Sequence, residues 1–138
     1  AGWEGAARHA HRVHASQVAM PIVLPPLPDA APGETGPYCV IAKHRAKPGR
    51  ADAYERRMLA DLAATRAEPG CLQFHIHRER SDPNLFVIYE VWRDVNALRE
   101  HFETPYVKQF VADSAQFIEG GMDVQWLVMR SKYVLGKR

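Results

Sequence analysis

His75, Glu90, Trp92 and His101 all fall between Cys71 and Phe110, in forty residues of a 138-residue chain. Each type can do chemistry. An imidazole titrates near working pH and can take a proton from a substrate. A carboxylate on an apolar face must be paired or perturbed, and an indole offers a flat wall. His101, one residue before the apolar Phe102, is the natural base, although a histidine near a helix end can equally satisfy terminal carbonyls. Tyr106 can hydrogen-bond a substrate oxygen but is no base at neutral pH without a large shift. Glu90 shares its parity with Phe86, Ile88 and Trp92, so it points to a largely apolar face, where Lys43 or Arg45 would serve as a structural partner. The candidate catalytic set is therefore His101, Tyr106 and Glu90. Phe74, His75, Trp92, Phe110 and His44 are the candidate substrate contacts, although Trp92 and Phe110 can equally be core. The facing of His44 is open.

His75 and His77, at i and i+2 on a strand, project to one face, as two metal ligands would. A third ligand is missing, because Glu79 shares their parity but runs toward a turn. No metal is expected. His75 is read as lining a pocket or a dimer surface, and His77 as partly solvated.

These side chains need a scaffold. Tyr38 to Ala46 is rich in Val, Ile and Tyr and ends at Lys47-Pro48-Gly49, a strand and turn. Residues 51 to 67 place Tyr54, Met58, Leu59 and Leu62 at helical spacing, and Glu68-Pro69-Gly70 ends that helix. Cys71 to Glu79 and Leu85 to Trp92 read as a hairpin turned at Asp82-Pro83-Asn84. Asp94 can cap a short helix with Val95, Leu98 and Phe102. Thr104 as N-cap and Pro105 as first helical residue start another, with Val107, Phe110, Val111, Ser114 and Ile118 on one side. Gly120-Gly121 is expected to stop it, leaving Met122 to Val134 as the last strand. The order βαββαβ, with right-handed crossovers, gives an α+β ferredoxin-like domain with a four-stranded antiparallel sheet.

Composition changes near Pro37. Residues 1–37 hold six of the ten prolines and read as an arm or loosely ordered extension, with a possible turn of helix around Ala6 to Val18 and solvated histidines at 9, 11 and 14. Residues 38–138 form the folded domain. The 18 basic and 16 acidic residues are interspersed, without the dense basic block of a nucleic-acid binder. Cys39 and Cys71 lack CxxC spacing and read as free thiols in a reducing compartment. The apolar stretch Val18 to Leu27 is broken by Pro21, Pro25 and Pro26, and no run is long enough to span a membrane. A cytoplasmic location is expected. Residues 85–92 and 124–129 are apolar at both parities, whereas a sheet with one wet face alternates. A second copy packed sheet to sheet would cover the extra face; the Pro-rich arm is the alternative cover.

The KPG turn at 47–49, EPGCLQF at 68–74, DPNLFVIYEVW at 82–92 and ALREHFETPYVKQF at 97–110 together resemble the antibiotic biosynthesis monooxygenase family over about Tyr38 to Tyr133. The family's proteins are small dimeric α+β barrels that include quinol monooxygenases working without a cofactor. The resemblance implies a homodimer that oxidises a small aromatic, phenolic or quinol substrate with dioxygen, needing no cofactor, with His101 as base. Members commonly carry Pro-His just after this position; Tyr106 stands in place of that second histidine. The haem-degrading branch uses Asn, Trp and His where this chain aligns Ala42, His101 and Val111, so haem degradation is disfavoured. The same scaffold also resembles an isomerase of a phosphorylated signalling sugar, which would need a basic clamp from Arg78, Arg99 and Lys108. A non-catalytic small-molecule-binding dimer is the third reading, because fold does not fix function.

Overall fold

The computed structural model describes residues 20–134. The expected helical turn before Val18 and the histidines at 9, 11 and 14 lie outside the described residues. The elements run β1 (Tyr38–Ala46), α1 (Ala51–Ala60), α2 (Leu62–Ala67), β2 (Cys71–Arg78), β3 (Leu85–Trp92), α3 (Val95–Phe102), α4 (Pro105–Asp113), a 3₁₀ turn (Ser114–Gln116) and β4 (Ile118–Val128). The strands pair antiparallel in the order β2-β3-β1-β4. This is the ferredoxin-like arrangement expected.

The helix expected over 51–67 is two helices with a one-residue break at Asp61, whose carboxylate is held by Arg57 at 2.7 Å. The larger difference lies at Gly120 and Gly121. They do not end a helix; they sit inside β4. Both have φ near +79°, and the β1–β4 register jumps there, from His44 opposite Met122 to Arg45 opposite Glu119. Glycine alone takes that backbone at little cost, so the pair builds a bulge that lets the strand begin at Ile118. The strand also ends at Val128, not Val134.

Alternation sorts the sheet into two faces. On the helix side three cross-strand rows are stacked: Phe74–Glu90–Val40–Trp126, Ile76–Ile88–Ala42–Val124, and Arg78–Phe86–His44–Met122. Tyr54, Phe86, Trp92 and Leu98 are fully buried on this side. The opposite face carries Cys39, Ile41, Val87, Tyr89 and Val91. Cys39 and Val91 are nonetheless buried, and the chain after β4 turns back to bring Tyr133 beside Cys71, Leu72, Gln73 and His75 at one end of the sheet. The protein thus covers one end of this face itself, while Ile41, Leu85, Val87 and Tyr89 stay only half-buried.

Residues 20–37 are extended but packed. Ile22 is buried and its amide donates to the Ser114 hydroxyl at 2.8 Å. Leu27 packs on the Tyr38–Trp92 cluster, and the Tyr38 hydroxyl donates to the Pro28 carbonyl at 2.7 Å. Prolines suit such a segment, since it lies against the core with no ladder to join. Among the described residues no helix is long and apolar enough to cross a membrane.

Candidate active site

Between the helix side of the sheet and α1 to α4 lies a cavity of about 100 Å³. Its floor is the middle row, Ile76, Ile88 and Ala42, and its walls include Leu24, Met58, Phe74, Phe110 and Met122. Glu90 stands at one end of this floor and His44 at the other, with His101 and Tyr106 entering from the helices. Among the described lining residues there is no lysine or arginine.

The position of His101 follows from local rules. The Asp94 carboxylate caps α3 by accepting from the Ala97 amide at 2.8 Å. The end of α3 is closed by Thr104, whose amide and hydroxyl both donate to the His101 carbonyl, at 3.1 and 2.7 Å. The imidazole is therefore not spent on terminal carbonyls. Its Nδ1 lies 2.6 Å from Oε2 of Glu68, the same oxygen that accepts from the Tyr106 hydroxyl. With Nδ1–H donating to a carboxylate, the tautomer is fixed and Nε2 holds a lone pair. Among the described residues Nε2 has no hydrogen-bond partner, and His101 lines the cavity.

Glu68 is held by its own turn. It takes an extended conformation just past α2, and its carbonyl accepts from the Cys71 amide at 3.0 Å. The Gly70 carbonyl accepts from the Arg93 amide at 2.8 Å. A Cβ on Gly70 would sit 2.3 Å from the Ala97 Cβ, so only glycine lets this loop press against α3 and bring Glu68 to His101.

Burial holds the His101 imidazole below its ordinary range, while the Glu68 carboxylate pulls it back up. The ring is thus neutral and able to accept a proton at neutral pH. Burial, then the bond to Glu68, pushes the Tyr106 phenol up to about 12, so at neutral pH its hydroxyl keeps its proton and donates it to the Glu68 carboxylate. Glu90 is buried, and desolvation raises its carboxyl to about 7 despite the bond it accepts from the Trp92 indole at 3.0 Å.

The structure brings His101, Tyr106, Glu90, His44, Phe74 and Phe110 around one cavity. Trp92 does not line it but backs it, its ring 4.6 Å from that of His101 and 6.5 Å from that of Phe74, with its indole donating to Glu90. His75 lies elsewhere: it is exposed on the opposite face, with Nδ1 3.3 Å from the Arg66 guanidinium. The partner expected for Glu90 is also different. Lys43 and Arg45 have the opposite parity on β1, and Arg45 pairs with Asp82 at 2.9 Å, so the indole of Trp92 takes that role. The three cations considered for a phosphate clamp are engaged outside the cavity: Arg78 with Asp52, Arg99 with Asp29 and Lys108 with Glu103.

Glu68 and Tyr54 are the functional candidates that sequence reasoning does not reach. Glu68 belongs to a helix-ending Glu-Pro-Gly, and Tyr54 to an amphipathic stripe with the pattern of core. The Tyr54 hydroxyl is bonded to His44 Nδ1.

A family model described as antibiotic biosynthesis monooxygenase matches residues 37–113. The uncharacterised protein sll1783 of Synechocystis sp. is 30% identical over 94 residues, 68% of this chain and 64% of its own length, so the chain spans less than two thirds of that relative. Among solved structures, PA3566 from Pseudomonas aeruginosa superposes with a TM-score of 0.64 at 35% identity, over 71% of this chain and 98% of that one. Rv0793 from Mycobacterium tuberculosis gives 0.67 at 24% identity, over 72% and 100%.

Proposed function

Since the chain belongs to the antibiotic biosynthesis monooxygenase family, we propose that it oxidises a single-ring phenol or hydroquinone with dioxygen, with His101 as the base. The observation that carries this reading is the Glu68–His101 pair at the wall of an apolar cavity. An engineered cavity of about 150 Å³ holds benzene, so a space of about 100 Å³ suits one small ring and excludes a fused polycycle unless a wall moves.

His101 Nε2 takes the phenolic proton, and the imidazolium is stabilised by the Glu68 carboxylate. The ring anion, desolvated among Phe74, Ile88 and Phe110, passes one electron to dioxygen. The resulting superoxide and ring radical combine at the carbon beside the oxygen, and the proton returns from His101 to the distal peroxide oxygen. Loss of the ring C–H proton with hydroxide, as water, leaves a new carbonyl. With hydroquinone, one molecule of the diol and one of dioxygen give one hydroxybenzoquinone and one water. One oxygen atom enters the ring and the other leaves in the water. The substrate supplies all the electrons, so the scheme needs no further reductant.

We also infer that the uncovered part of the outer sheet face, Ile41, Leu85, Val87 and Tyr89, packs on a second copy of the chain.

Oxygen uptake with methylhydroquinone under air, corrected for autoxidation, tests the activity. The reading expects uptake above the protein-free rate and a loss of at least about 100-fold in His101→Ala. Uptake equal to the protein-free control would end it.

A further inference from the structure

His44 is 5% exposed and forms the end of the cavity floor away from Glu90. Its Nδ1 is bonded to the Tyr54 hydroxyl, and its Nε2 is buried without any hydrogen-bond partner. Tyr54 itself is fully buried. A sealed polar atom of this kind is uncommon in a folded protein and calls for a partner.

The proton positions follow from counting. If Nδ1–H donated to Tyr54, the buried phenolic O–H would have no acceptor among the described residues, and Nε2 would have no donor. If the Tyr54 hydroxyl donates to Nδ1, the one group left over is an Nε2–H donor. The second arrangement strands fewer groups. It requires a neutral ring, and burial supplies that by lowering the imidazole to about 4. Tyr54 does not line the cavity and His44 does, so Nε2 is buried in a residue of the cavity wall. That atom is closed off at rest. Met58 and Met122 belong to the same wall, and such unbranched thioethers shift readily.

We propose that His44 Nε2–H is a second anchor of the site, donating to an acceptor oxygen on the ligand, and that the ligand is a single ring bearing oxygens at both ends. This rests on the phenol-binding reading above. His101, the first anchor, stands at the Glu90 end of the floor, its ring 6.0 Å from that of Phe74 in the same cross-strand row as Glu90; His44 is four residues along β1 from Val40, the partner of Glu90, about 13 Å between Cα atoms. A ring with para oxygens and a hydrogen bond at each end fits such a span, whereas a ring with one oxygen leaves His44 without a partner.

The test is equilibrium binding to the full-length protein under anaerobic conditions, read by calorimetry. Hydroquinone is compared with 4-methylphenol, which differs only by methyl for hydroxyl. The expected result is a preference of about tenfold for hydroquinone, lost in His44→Leu and partly restored in His44→Gln, which keeps an N–H donor. In the unaltered protein, the ¹⁵N signal of His44 Nε2 should show the protonated tautomer and should move with hydroquinone more than with 4-methylphenol. Equal affinity for the two ligands, or a preference that survives in His44→Leu, would overturn the anchor while leaving the monooxygenase reading intact. If neither ring binds, both fall.

Discussion

Glu68→Gln removes a charge while keeping an acceptor of nearly the same shape. In the native protein Glu68 and His101 are both largely buried, with side chains 17% and 7% exposed, and their N and O atoms are 2.6 Å apart. As His101 takes the substrate proton, this contact becomes an ion pair. Two unit charges about 4 Å apart interact by about 4 kcal/mol at an effective dielectric constant of about 20, and hydrogen bonds to charged groups contribute about 1.5–3 kcal/mol net. Glutamine retains the neutral hydrogen bond, so the expected loss is about 2–3 kcal/mol. That corresponds to a fall in kcat/KM of about 30- to 150-fold.

The pH profile gives a second readout. Burial lowers the His101 imidazole and Glu68 opposes it. Removing the carboxylate leaves burial alone, so the acid limb of kcat/KM, where the base becomes protonated, moves to lower pH as the plateau drops. Tyr106→Phe keeps the charge and should cost only a few-fold. The assay is initial oxygen uptake with methylhydroquinone from pH 4.5 to 8. A Glu68→Gln variant within about threefold of wild type with an unmoved acid limb would refute the dyad, and an equal loss in Tyr106→Phe would transfer its role to the phenol.

Glu90 is raised from its ordinary 4.5 to about 7 by burial, so the native state binds its proton more tightly than the unfolded chain does. Its contribution is full below pH 4.5 and is lost as pH rises through 7; Glu90→Gln should therefore be neutral at pH 4.5 and stabilising by up to about 3 kcal/mol at pH 8, as urea unfolding at the two pH values would show. Gly70→Ala forces its Cβ to 2.3 Å from that of Ala97, an overpacking worth about 1–3 kcal/mol. The melting temperature should fall by about 4–12 °C, and activity measured at 20 °C should fall as well, because Glu68 shifts with the loop. Light scattering should give twice the 15.6 kDa chain mass, and Val87→Glu on the outer face should return the monomer; a monomeric wild type at micromolar concentration would contradict the sheet-to-sheet dimer.

The parts of the fold legible in the sequence are those fixed by short-range chemistry. Tyr38–Ala46 and Leu85–Trp92 have the bounds that β-branched content and turn residues indicate, and Asp94, Thr104 and Pro105 start their helices as cap preferences require. The features that escape a local reading depend on distant partners. Gly120-Gly121 has the local signature of a helix stop, and only its pairing with His44 and Arg45 across the sheet makes it a bulge. Residues 20–37 have no periodicity because a segment lying on a core needs only an occasional anchor such as Ile22. The outer face is covered at one end by the chain's own tail, which parity along β3 cannot reveal.

The candidate site divides along the same line. Glu90 stands out because a glutamate on an apolar strand face conflicts with its surroundings locally, and His101 because an imidazole titrates near working pH and the family resemblance puts a histidine there. Glu68 meets His101 and Tyr106 across 33 and 38 residues of chain, and nothing near it in sequence is anomalous. The one trace it leaves is Gly70, whose missing side chain lets the loop touch α3 at Ala97, one turn before the histidine. The site is thus assembled from two independent supports. The helices and the 68–70 loop set the basicity of His101, whereas β1 and α1 set the donor at His44 through Tyr54. Substitutions at Glu68 or Gly70 should therefore lower kcat with little effect on which ring is preferred, and substitutions at His44 should act mainly on which ring binds and on KM. A variant at one end that altered both properties equally would mean that the cavity behaves as one unit.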